Sequence, residues 1–152
     1  MALKSDRIEL LTDISFFMNN ATTSTIERGG VASADTSASG VGVSMDDANA
    51  VVEYAASAAG AKPVGILLND VVNIDLTRQH INWHKDEVQG GGKVTLLRQG
   101  QVTTNRVEGT PSAGADAYVA DSGYISSTGT VKVGQFLSAV DSDGYAKVSV
   151  NL

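Results

Sequence analysis

His80 and His84 are the only two histidines, four residues apart in QHINWHKDE (79–87). On a helix that spacing puts both imidazoles on one face, where they could share a metal. The acidic residue that a zinc hydrolase sets between two such histidines is missing. On a strand, positions four apart lie about 13 Å from each other, too far for one ion. The segment therefore reads as a polar surface or interface around Trp83, with zinc-dependent hydrolysis as the competing reading. GGGK (90–93) looks like part of a phosphate loop, but Val94 stands where a Ser or Thr should reach Mg²⁺, and the glycine spacing is wrong. It reads as a flexible turn. DSDG (141–144) holds fragments of a calcium loop without the distal acidic residue, and reads as a hairpin turn. Asn20-Ala21-Thr22 matches a glycosylation sequon, with no secretion signal beside it. Carboxylates concentrate locally only at Asp46/Asp47, Asp75 and Asp86/Glu87, and no Ser-His-Asp order stands out. The chain has no Cys, which removes disulfides, thiolate metal sites and cysteine nucleophiles. No catalytic residue, metal or cofactor is expected, and the protein is not read as an enzyme.

The elements that must carry these residues are mostly strands. The 152 residues have a net charge of −6, only 18% charged and 5% aromatic residues, and 16 Gly. An acidic balance argues against nucleic acid or an anionic membrane as partner, because phosphate recognition needs Lys and Arg. MALKSDRIELL places Asp6, Arg7 and Glu9 where a signal peptide needs an apolar run, so synthesis and folding in a cytosol are expected. Ile14, Phe16 and Met18 alternate as in a half-buried strand, and Phe16-Phe17 on a polar arm is a candidate anchor for a partner's pocket. Residues 21–44, rich in Ser, Thr, Ala and Gly, read as a linker. Residues 45–60 are ambiguous between helix and strand. An internal echo favours strand–turn–strand over 50–68: Tyr54, Ser57, Gly60, Lys62 and VGILL (64–68) are similar to Tyr124, Ser127, Gly129, Lys132 and VGQFL (133–137). Residues 93–107 form a hairpin candidate about Gly100, and 145–150 a strand with Ala146, Val148 and Val150 on one face. The fold class expected is mainly β. It is a small β-barrel, β-tulip-like or sandwich body (45–152) behind an extended N-terminal arm and linker (1–44), with at most one short helix.

AKPVGILLNDVVN (61–73), LTRQHINWHK (76–85), VGQFLSAVDSDGYAKV (133–148) and ERGGV (27–31) carry a resemblance that spans about two thirds of the chain. From Lys62 onward the sequence resembles the capsid decoration (cement) proteins of tailed bacteriophages. The resemblance implies a small β-barrel-like body with an extended arm, bound to the outside of an icosahedral head. It implies two partners, the major capsid protein and the chain itself, as a homotrimer or sometimes a dimer. The role implied is to tie neighbouring capsid subunits together against DNA pressure. Candidate capsid or subunit contacts are Ile14, Phe16, Phe17, Met18, His80, Trp83 and His84. The alternative is a carbohydrate- or receptor-binding module on a phage fibre or head, for which Trp83, Tyr54, Tyr118 and Tyr124 would form the aromatic platform.

Overall fold

The structure is a computed structural model that describes residues 2–19, 25–36, 50–73 and 86–152. His80, Trp83, His84, Asp75, the Asp46/Asp47 pair and the Asn20 sequon lie outside these residues. Thirteen strands are seen among the described residues. β1 (Ile8–Asp13), β2 (Phe17–Met18), β3 (Val31–Ala34), β4 (Val51–Glu53) and β5 (Pro63–Leu67) come first. β6 (Asp70–Val72) and β7 (Glu87–Gln89) follow, then the long β8 (Leu96–Thr104). β9 (Val107–Glu108), β10 (Asp116–Val119), β11 (Ile125–Ser126), β12 (Lys132–Phe136) and β13 (Ala146–Asn151) complete the series. One 3₁₀ turn spans Asp121–Gly123.

The fold is mainly β, as expected. Among the described residues no closed barrel is found, and the large sheet is mixed. Its order is β2-β4-β3-β5-β8-β13-β12-β10-β11-β9, with β1 paired to β8 off this path and β6-β7 as a separate parallel pair. The pairing of β2 with β4 and of β9 with β11 is parallel, and neither β2 nor β9 meets the other to close a cylinder.

The order is a palindrome of two like units. In each, a two-residue strand pairs in parallel with the next strand but one, which then leads through two antiparallel steps to a strand that carries VG at its second and third residues. The registers match residue by residue. Val31, Ala32 and Ser33 face Ile66, Gly65 and Pro63, with a bulge before Ser33; Asp116, Ala117 and Tyr118 face Gln135, Gly134 and Lys132, with a bulge before Tyr118. Gly29 N donates to Leu67 O as Gly114 N does to Phe136 O, both at 2.8 Å. Leu68 N donates to Thr95 O as Leu137 N does to Lys147 O. Thr95 N donates to the Asn69 side chain as Lys147 N does to the Ser138 hydroxyl. The VGILL/VGQFL echo is thus structural, whereas Tyr54 and Tyr124 are not equivalent positions. β4 and β5 are not a hairpin either, since β3 lies between them, as β10 lies between β11 and β12.

The glycine shared by the two units is required by close approach. A Cβ on Gly134 would lie 1.8 Å from Ser149 O, and one on Gly65 2.8 Å from Leu97 O. Gly100 does not turn the chain, and the 93–107 hairpin is not formed. β8 runs straight through, because Gly100 is where Ile8 O crosses; a Cβ there would stand 2.0 Å from it.

Both faces of the central strands are buried. Val31, Ile66 and Leu97 join Val102, Phe136 and Val148 in the larger core. Their neighbours Ala32, Leu67 and Leu96 join Met18, Val52 and Val71 in a second core on the other side. Successive residues on a strand face opposite ways, so two-sided burial demands an unbroken apolar run; that is the physical content of VGILL. β13 buries one face only, with Ala146, Val148 and Val150 inward, and its sequence alternates. The Asp141–Gly144 turn joins β12 to β13: Asp141 Oδ1 accepts from Asp143 N (3.0 Å) and Tyr145 N (2.8 Å).

Candidate functional site

The N-terminal segment lies antiparallel along the whole of β8. Leu3 pairs with Thr104, Ile8 with Gln101, Asp13 with Leu96 and Phe17 with Lys93. Its two ends are anchored by burial, with Leu3 1%, Phe17 2% and Met18 0% exposed. Its middle is apolar yet bare: Ile8 is 48%, Leu10 74%, Leu11 48% and Ile14 66% exposed. Register slips on either side of Leu11 make the strand irregular. Only β8 pairs with β1, so among the described residues its other backbone edge is unpaired.

Charges beside this strand are matched within the chain. Lys4 meets Asp141 at 3.4 Å, Lys147 meets Asp6 at 3.6 Å, Arg98 meets Asp13 at 3.8 Å, and Arg7 meets Glu9. Exposed pairs of this kind contribute little to stability. Their effect here is to leave the aliphatic row flanked by locally neutralised charge. Hydrogen bonds from the Ser15 hydroxyl and backbone N–H hold the Asp13 carboxyl below its usual range. The backbone donors Tyr145 and Asp143, with Lys4, do the same for Asp141.

The expected contact residues separate. Met18 fills the chain's own second core, Phe17 is buried where β2 pairs with β4, Phe16 is half-buried against that core, and Ile14 is exposed. His80, Trp83 and His84 are outside the described residues. Sequence reading passed over Ile8, Leu10 and Leu11; the signal was four aliphatics within residues 8–14, too few and too interspersed with charge to stand out as a surface.

The tyrosines do not assemble a platform. Tyr54 is half-buried, its hydroxyl donating to Glu27 O (2.7 Å) and accepting from Gly30 N (3.0 Å); desolvation pushes its phenol well above the usual range. The Arg106 guanidinium lies 5.0 Å from the Tyr54 ring and 5.2 Å from the Tyr124 ring. Tyr118 is half-buried elsewhere, on β10. An open concavity beside β11 holds Glu108, Asp121, Ser126 and Thr128. Asp121 there accepts from Ala58 N (2.7 Å), and no histidine is among the described residues. Among the described residues no group of three His, Asp or Glu could hold a metal.

Among the described residues the body is mainly β, with a margin strand, β1, that carries exposed aliphatics. Residues 16–151 match the family described as structural cement protein (E217 gp24/Pam3 gp6), and the chain belongs to this family of phage cement proteins. Comparison with curated proteins finds no match. The family is structural and its members are virion components associated with the capsid. β1 precedes the matched residues.

Proposed function

We propose that the chain binds the outer surface of the phage head, bridges neighbouring major capsid subunits, and does no catalysis. Membership of the cement family over residues 16–151 carries this reading. The acidic balance supports an external position, away from packaged DNA. A capsid repeats each contact by symmetry, so contacts of modest strength sum to tight attachment. Within this reading, Ile14 and the exposed part of Phe16 meet the capsid directly. Phe17 and Met18 act by fixing that segment to the body, and His80, Trp83 and His84 remain contact candidates. The protein is made in the host cytoplasm and joins the head there.

Purified virions test this. Quantitative mass spectrometry should give one copy per one or a few major capsid subunits, and heads lacking the protein should lose DNA at lower temperature and recover on adding it back. A handful of copies per particle would move it to a vertex or tail and remove the cement role.

A further inference from the structure

The two like units share β8. In the first unit β8 is the last strand, lying between β1 and β5; in the second unit β13 is the last strand, lying between β8 and β12. β8 is therefore also the first strand of the second unit, and β1 is its counterpart in the first. The spacing agrees. Asp13 precedes the buried Met18 of β2 by the same five residues as Val102 precedes Val107 of β9, and both partner equivalent positions on their last strands. The two first strands differ in one respect. β8 has its remaining edge covered by an antiparallel segment, residues 3–9 of the N-terminus. Among the described residues the same edge of β1 has no strand against it, although β1 carries the most exposed of their aliphatics, Leu10.

We propose that this edge pairs antiparallel with β1 of a second copy, joining two sheets into one across a two-fold axis. The occupant follows from the fold itself: the segment that covers a first strand in this chain is the N-terminal strand, and a second copy supplies the same strand. A two-fold pairing covers both edges at once and closes the assembly, whereas any other arrangement of identical chains leaves one aliphatic edge bare. Charge narrows the register. Centred on Leu10, the pairing puts Arg7 of each copy opposite Asp13 of the other. Centred on Leu11 it opposes Glu9 to Asp13, and centred on Glu9 it opposes Glu9 to itself; like charges directly across a ladder disfavour both. This deepens the capsid reading, resting on it only for the expectation that copies of this chain associate.

The absence of Cys makes the test clean. Light scattering of the purified full chain should give twice the 15.7 kDa chain mass, and Leu10→Arg, with two like charges on the axis, should give the monomer with an unchanged circular dichroism spectrum. Residues directly opposed on antiparallel strands lie about 4.5–5.5 Å apart at Cα, within disulfide reach. Leu10→Cys should thus oxidise to a covalent dimer, whereas Ser112→Cys, on an exposed turn, should not. A monomeric wild type, or a Leu10→Arg protein that stays dimeric, overturns the proposal, as does equal crosslinking of the two Cys variants. Capsid co-sedimentation separates the two readings: monomeric Leu10→Arg that still binds heads leaves the cement role standing without the β1 pair, and wild-type dimer that ignores heads does the reverse.

Discussion

Arg28 shows how a charged residue can hold this fold together. Its side chain is 12% exposed and pairs with Asp86 and, at 3.8 Å, with Asp70; its backbone N–H also donates to Asp70 (2.8 Å). It fastens the β6–β7 pair to the chain entering β3. Arg28→Ala should lose about 1–2 kcal/mol, mostly the packing of the buried Arg28 stem, since water can solvate the partly exposed carboxylates left behind; the urea midpoint reads this. Asp141 acts through pH. Its folded carboxyl titrates below the 3.8 of a free Asp, so as pH falls the unfolded chain takes up the proton first. The stability it contributes is complete above about pH 5, and is lost as pH drops through the folded value. Asp13 shifts the same way. The melting temperature should therefore fall below pH 4, and Asp141→Asn should flatten that fall while lowering stability near neutrality.

At the scale of elements, the VG strands and the N-terminal segment set the limits. Gly134→Ala forces a Cβ against Ser149 O and should cost about 3 kcal/mol, the upper end for overpacking. Gly60→Ala is the control: its φ is +80° but nothing lies within 4 Å, so only the left-handed penalty of about 1–2 kcal/mol applies. Equal losses in thermal melts would show that close approach is not what Gly134 serves. Deleting residues 1–19 removes the buried side chains of Leu3, Phe17 and Met18. At about 1.5–3 kcal/mol for each buried side chain, the loss should be about 5 kcal/mol or more. The truncated chain should then be unfolded or molten by near-ultraviolet circular dichroism.

For the whole molecule, the sharing of β8 has a thermodynamic consequence. Two like units side by side could melt separately, as repeats do. Here one strand belongs to both, pairing with β1 and β5 in one and β13 in the other. Neither unit can open without exposing the other's core. Calorimetry should show one transition with calorimetric and van't Hoff enthalpies equal, and two resolved transitions would contradict the shared strand. An indivisible body of this kind suits a clamp that must carry load between its attachment points.

Much of this was legible from residue order alone. Turn chemistry marked the Asp141–Gly144 hairpin, and alternation marked the buried face of β13. These depend on contacts within a few residues, and local spacing encodes them. The echo of VGILL in VGQFL was visible too, because the same bulge and the same close approach demand Gly at one place in both units. What tertiary structure alone decided was which strands meet. Gly100 looks like a turn until Ile8, from the far end of the chain, is laid across it. VGILL looks like half a hairpin until β3 is inserted beside it. Phe17 and Met18 look like free anchors until β4 and the second core receive them. A strand's period is written in its own residues, but its neighbours are chosen by burial summed over the whole sheet, and that sum exists only once the chain has folded.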